Sequence, residues 1–230
     1  MEKIITIDEK LYGRLKSRSL TEKQKTLFTT LFHKVAVNSF EEMDVKKYED
    51  TFLEIGFGSG EHLVEMALKN PTSLFVGCEP FVNGVASILV KIEMLKIENI
   101  RIFQGDAKIF IKTIPENTLS GVFLLFPDPW PKRKHIKRRF LQQNIIISIH
   151  KKLKSNGFWR IATDHKEYAA WIVKLFAGEC ITKIFTAEIF DTNSRFPTEI
   201  WPETKYEKKA TDTILYAIYT KKLRESQLLQ

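Results

Sequence analysis

From Thr51 onward the chain alternates between two textures. Short apolar runs such as Thr51-Phe-Leu-Glu-Ile-Gly read as buried strands, and longer stretches carry apolar residues at helical spacing. The pattern predicts a strand from Thr51, a helix over Glu61 to Lys69, a strand over Leu74 to Cys78 and a helix over Phe81 to Lys96. In the last of these, Val85, Ile88, Leu89, Ile92 and Leu95 recur at three- and four-residue intervals. Strands over Ile100 to Phe103 and Gly121 to Phe126 follow, with a short helix between them. Gln142 to Leu153 is then helical, Phe158 to Thr163 a strand and Tyr168 to Phe176 a helix. Such alternation implies a Rossmann-like α/β fold, a doubly wound and mostly parallel seven-stranded sheet with right-handed crossovers. The last two strand patterns, Ile184 to Phe190 and Thr213 to Thr220, are joined by a loop holding Phe196-Pro197 and Trp201-Pro202. With no helix between them, they predict an antiparallel C-terminal pair closing one edge.

Residues 1–48 are polar, basic and weakly periodic, which predicts a partly flexible N-terminal arm with a short helix around Leu20 to Val35. Residues 49–230 then form one domain. The net charge of +8 favours a polyanionic partner. Two cysteines, Cys78 and Cys180, make neither a disulfide framework nor a zinc site, which suits a reducing cytosol. The N-terminus carries Glu2, Asp8 and Glu9 and lacks the apolar region of a secretory signal. No apolar run approaches membrane-spanning length. The expectation is a cytoplasmic protein with no membrane attachment, and nothing points to an obligate protein partner.

The densest chemistry lies at Leu125-Phe126-Pro127-Asp128-Pro129-Trp130-Pro131, followed by Lys132-Arg133-Lys134-His135-Ile136-Lys137-Arg138-Arg139. Each proline fixes its own φ and pushes the residue before it out of the helical region, so Asp128 is held in a rigid extended turn. At the C-terminal end of a buried strand, such a turn faces the crevice where open α/β sheets bind ligands. The basic run beside it can neutralise several phosphates. A preorganised carboxylate, a stackable aromatic and a phosphate clamp together suggest chemistry on a nucleic-acid base. Taken singly, each half also reads as a capped strand or a solvated helix face.

The first strand–helix turn, Glu54-Ile-Gly56-Phe-Gly58-Ser-Gly60, has GxGxG spacing behind an acid and not the GxGxxG of dinucleotide enzymes. Glu54 would repel a pyrophosphate, whereas the ammonium and sulfonium of S-adenosylmethionine would welcome it. Glu79 ends the second strand, where a carboxylate can accept bonds from a ribose 2′,3′-hydroxyl pair. Asp106, in Gln104-Gly105-Asp106-Ala107, can accept from an adenine amino group. Each acid alone is a common helix cap. Three in register with a glycine turn point to a nucleoside.

With these motifs the chain resembles the bacterial tRNA (guanine-N7-)-methyltransferases of the class I S-adenosylmethionine-dependent fold. The likeness begins near Tyr12-Gly13-Arg14 and runs through LEIGFGSG, GCEP, QGDA, FPDPWPKRKHIKRRF and Ala162-Thr163-Asp164 to Thr204-Lys205-Tyr206-Glu207. It implies methyl transfer to N7 of a variable-loop guanine, position 46 of tRNA. It implies that Glu54, Gly56, Gly58, Gly60, Glu79, Asp106, Ala107 and Asp128 contact the cofactor or define the catalytic site, with Asp128 as the catalytic residue. Lys132, Asp164, Thr204, Lys205, Tyr206 and Glu207 would bind the guanosine, and Lys134, Lys137, Arg138 and Arg139 the RNA. The chain departs from the family at Pro80, where an aliphatic residue is more usual, and at Tyr206, where Phe is.

The chemistry agrees. Guanine N7 has a lone pair and no proton, so methylating it needs no general base, and catalysis reduces to positioning and electrostatics. Asp128, Asp164 and Glu207 are suitable acceptors for the guanine N1–H and amine. Trp130 reads equally as a stacking platform or as packing under the turn. Competing readings are a methyltransferase acting on another base or on rRNA, a non-catalytic RNA-binding protein and a dinucleotide oxidoreductase. His33, His62, His135, His150 and His165 show no metal-ligand spacing, so no metal site is expected, and His165 is expected to begin a helix. Cys180 and Met94 are expected in the core; Lys108, Lys112, Lys151, Lys152 and Lys154 are expected as surface charge.

Overall fold

A computed structural model of the protein describes Leu15, residues 17–191, Thr204, residues 207–210 and residues 213–222. Seven strands form one sheet: β1 (Thr51–Ile55), β2 (Leu74–Cys78), β3 (Ile100–Phe103), β4 (Leu119–Leu125), β5 (Leu153–Thr163), β6 (Phe185–Asp191) and β7 (Leu215–Lys221). Their order is β3-β2-β1-β4-β5-β7-β6. β1 with β2, β2 with β3 and β4 with β5 pair in parallel, and β7 lies antiparallel to both β5 and β6. The helices are α1 (Glu22–Thr30), α2 (Phe32–Val35), α3 (Glu61–Lys69), α4 (Val82–Leu95), α5 (Ala107–Thr113), α6 (Gln143–Lys152), α7 (Lys166–Phe176) and the single turn α8 (Glu179–Thr182). Among the described residues, no helix is long and apolar enough to cross a membrane.

These elements form two compact units. The first contains α1 to α5, β1 to β3, Thr204 and a 3-10 turn at Glu207–Lys209. Every residue of β2 is buried, which is why its sequence is an unbroken apolar run without alternation. Thr21 starts α1 with a capping box, its hydroxyl accepting from the Gln24 amide while Gln24 Oε1 accepts from its own. The single helix expected over Leu20 to Val35 is divided at Leu31 into α1 and α2. Beyond it the Val37 amide donates to Ile102 O at 2.9 Å, and Val35, Val37, Phe40 and Met43 are buried. This segment therefore packs along the free side of β3.

The second unit contains β4 to β7 and α6 to α8. Its core is aromatic: Trp159, Phe176, Phe185 and Tyr219 interlock, with the Phe176 and Tyr219 rings stacked at 3.4 Å between centroids. β5 starts five residues before the expected Phe158. The register jumps from Leu119↔Leu153 to Gly121↔Phe158, and the polar residues between bulge out, with Asn156 at φ 61°. β4 ends one residue early because Phe126 turns to φ 52°.

Three burial expectations need correcting. Met94 is 66% exposed, since the buried stripe of α4 runs through Val85, Ile88, Leu89 and Ile92, and two residues on from Ile92 the helix faces away. Cys180 is exposed because the short turn α8 buries only Ile181. Lys108, conversely, is buried; it sits three residues before buried Ile111, on the same face of α5.

Candidate active site

In the first unit the glycine turn after β1 is left-handed at Gly56, Gly58 and Gly60 (φ 71°, 57° and 79°). A Cβ on Gly56 or Gly58 would meet nothing within 4 Å, so the outer face of the turn is open to a ligand. Its inner side is tied down. The Gly58 amide donates to Glu79 Oε2 at 2.7 Å, and the Phe81 amide donates to Oε1 of the same carboxylate at 3.0 Å. Glu79 thus links the turn to the start of α4. A Cβ on Gly84 would lie 2.3 Å from Gly58 O, so that helix can approach only as glycine. Gly84 went unnoticed in the sequence because it lies outside the glycine motif.

Glu54 is buried, and its Oε2 lies 2.8 Å from His62 Nδ1 on α3. Metal-ligand spacing does not reveal this partner; the Glu-x7-His spacing across a strand–glycine–helix turn is its signal in the sequence. Asp106 caps α5, its Oδ1 accepting from the Lys108 amide at 2.9 Å, and Ala107 is buried behind it. Glu79 and Asp106 follow the adjacent ends of β2 and β3, whose Cys78 and Phe103 pair directly. Burial, then the charges of Asp106 and Glu79, push the Cys78 thiol well above its usual range. The first unit therefore gathers Glu54, Gly56, Gly58, Gly60, Glu79, Asp106 and Ala107 into an acid-rich strand-end cradle.

Thr204 and Glu207 also belong to this unit. The Glu207 amide donates to Thr204 Oγ1 at 3.1 Å, and the Thr204 amide donates to Glu207 Oε2. This reciprocal pair caps the Glu207–Lys209 turn, a structural role readable in the T-x-x-E spacing. Lys205 and Tyr206, as well as Trp201, lie outside the described residues.

In the second unit, β4 and β5 end side by side. Leu125 pairs with Ala162, and the Phe126 amide donates to Ala162 O at 2.8 Å. Asp128 and Asp164 therefore follow neighbouring strand ends. Asp164 and Pro131 line one cavity of about 330 Å³ with His165, Lys166 and Glu167. His165 caps α7, accepting from the Tyr168 amide, as the sequence led us to expect. The Asp128 turn is bracketed by Phe126 and Trp130, both left-handed (φ 52° and 42°), a rare conformation for aromatic residues. Asp128 itself is exposed.

Lys132 precedes a 3-10 helix at Arg133–Arg138, and Lys132, Lys134 and Lys137 are exposed. Arg138 lies over the Trp130 ring, 5.0 Å from its centroid, and His135 meets that ring edge-on at 5.7 Å. Trp130 is therefore packed against the basic helix. Arg139 is a correction to the sequence reading. It is only 3% exposed, so its guanidinium is not presented to a phosphate.

Comparison with known proteins bears on this geometry. Residues 48–215 match the family described as "Putative methyltransferase". The chain is 38% identical over 207 residues to a tRNA (guanine-N(7)-)-methyltransferase of Zymomonas mobilis subsp. mobilis, covering 88% of this chain and 89% of that protein. It is 37% identical over 201 residues to the protein of that name from Caulobacter vibrioides, covering 86% and 88%. Among solved structures, a 16S rRNA (adenine(1408)-N(1))-methyltransferase from Catenulisporales acidiphilia superposes with a TM-score of 0.55 over 78% of this chain and 91% of that one, at 13% identity. That last likeness is one of fold. By sequence over most of its length, the chain belongs to the tRNA (guanine-N(7)-)-methyltransferase family.

Proposed function

We propose that the protein transfers a methyl group from S-adenosylmethionine to N7 of a guanine in the tRNA variable loop, at position 46, in the cytoplasm. The observation that carries this reading is the Asp128 turn, which leads directly from a strand end into a cationic 3-10 helix. In this reading residues 49–230 are the methyltransferase domain and the basic residues before them an accessory arm.

The first unit suits the cofactor. Its glycine turn presents an open face, and the side chains at its strand ends are carboxylates, which fit a cationic nucleoside and not a dinucleotide. Glu79 would accept from the ribose hydroxyls through its carboxylate. Asp106 would accept from the adenine amine, and Glu54, held by His62, would face the cationic end. When bound, this group supplies an electrophilic methyl on sulfur.

The second unit supplies the acceptor side. Asp128 and Asp164 would hold the guanine N1–H and amine, and their charge favours the cationic 7-methylguanine product. Lys132, Lys134 and Lys137 would hold phosphates of the RNA. The acceptor nitrogen carries no proton, so no residue has to remove one. Glu207 would be a further acceptor for the guanine, and Thr204, Lys205 and Tyr206 are the remaining proposed guanosine contacts.

The test is incubation with methyl-labelled cofactor and total tRNA, followed by nucleoside mass spectrometry. Label in 7-methylguanosine from the variable loop is expected. Label in another nucleoside, or transfer to rRNA in place of tRNA, would overturn the assignment.

A further inference from the structure

We propose that Arg139 is a positioning residue that sets the conformation of the Asp128 turn and joins it to the basic helix as one rigid body. Its Nε donates to Pro129 O at 2.8 Å. The guanidinium lies over two aromatic rings of α7, 5.1 Å from the Tyr168 centroid and 5.5 Å from that of Trp171. Those rings are themselves fixed. The Leu141 amide donates to Tyr168 Oη, and Trp171 Nε1 donates to Leu141 O at 3.2 Å. Burial pushes the Tyr168 phenol well up, so it stays neutral.

The bonded carbonyl explains the role. Pro127 and Pro129 fix their own φ, which leaves ψ of Pro129 as a soft torsion of the turn. That torsion orients the 129–130 peptide plane, which Arg139 holds through its oxygen. The next residue, Trp130, sits at φ 42°, a conformation that persists only where its surroundings over-determine it. Arg139 supplies that constraint at the carbonyl before Trp130, and Arg138 lies over the Trp130 ring.

The backbone of Arg139 closes the same structure. Its amide donates to Ile136 O at 3.0 Å, and Gln142 Nε2 donates to the carbonyls of both Ile136 and Arg139. The residue that ends the basic helix thus reaches back ten positions to grip the turn that precedes it. Phosphates held by Lys134 and Lys137 would then be held at a fixed offset from Asp128.

The inference rests on the reading of Asp128 as the acceptor-side acid, and its test separates the two. Arg139→Gln and Arg139→Lys are compared with Lys134→Ala by single-turnover methylation at saturating tRNA and cofactor, by tRNA affinity across a salt series, and by amide hydrogen exchange. Arg139→Gln should lower the saturated rate by about 100-fold, the scale of a small misplacement of a catalytic group. Its tRNA affinity should stay within about twofold of wild type and its salt slope unchanged, because every phosphate keeps its cationic partner. Arg139→Lys should recover part of the rate, since Nζ can donate to Pro129 O but has no planar face to set against the rings. Exchange should quicken in the peptide spanning Trp130 to Arg138 in Arg139→Gln and remain slow in α6. That readout needs no activity, so it stands even if the methylated atom proves not to be N7. A salt slope flattened as in Lys134→Ala, with saturated rate and exchange intact, would make Arg139 a phosphate ligand and overturn the proposal.

Discussion

Gly58 and Glu79 lie 21 residues apart and are joined by a 2.7 Å hydrogen bond from the glycine amide to a carboxylate oxygen. The carboxylate that would receive the ribose also holds the turn beneath it. Glu79→Ala should weaken S-adenosylmethionine binding by about 1–3 kcal/mol, the scale for hydrogen bonds to a charged acceptor. Calorimetric titration measures this directly. Binding of tRNA should be nearly unchanged, and an equal loss of both affinities would show that the ribose site is misplaced.

Asp128→Asn separates charge from proton transfer. The variant should fold, bind tRNA and bind cofactor, but lose about 10²–10³ in the rate of methyl transfer. Single-turnover profiles from pH 5 to 9 should show no wild-type limb near neutrality. A limb near pH 7 that disappears in the variant would mean that Asp128 removes a proton, and amine methylation would replace the N7 assignment.

Exposed Lys134 and Lys137 should each neutralise a phosphate. Removing either charge should weaken tRNA binding and flatten the log–log salt dependence by about 0.7–0.9 for each phosphate left without its cation. Cofactor affinity should not move. A slope identical to wild type would reduce this segment to a solvated face.

His135 should give tRNA binding a pH dependence. Desolvation, then the charges of Arg138, Lys134 and Lys132, hold its pKa below the ordinary histidine value. A phosphate over the basic run offsets that repulsion, so the pKa is higher in the complex than in the free protein. A group whose pKa rises on binding takes up a proton. Affinity should therefore increase as pH falls through the bound-state value and level off below the free-state value. Calorimetry in buffers of different ionisation enthalpy would detect the uptake, and His135→Asn should abolish it. Uptake that persists in the variant would place the titrating group elsewhere.

Local signals in the sequence were enough for the strands and the strand-end acids. Apolar runs of four to seven residues marked β1 to β4, and Glu54, Glu79 and Asp106 stood at their ends because that is where an α/β sheet opens to ligands. Long-range packing was not legible. Arg139 looked like its basic neighbours, and it is packing against residues distant in sequence, Tyr168 and Trp171 of α7 among them, that removes it from solvent. His62 and Gly84 matter through partners 8 and 26 residues away, and their own surroundings in the sequence are ordinary helix. The bulge in β5 was hidden because polar residues in a strand's extra turn resemble a loop.

The position of β7 between β5 and β6 has a consequence for synthesis of the chain. As the polypeptide emerges from the ribosome, β6 is complete some two dozen residues before its hydrogen-bonding partner exists. β5 likewise keeps one bare edge until Leu215 to Lys221 arrive and slot in antiparallel between them. Until β7 is made, the nascent protein therefore carries unpaired edges on β5 and β6, a template for mispairing that pairing with β7 takes away. A ribosome stalled before Leu215 would release a chain whose acid-rich cradle and Asp128 turn are already encoded, yet whose second unit has no way to close.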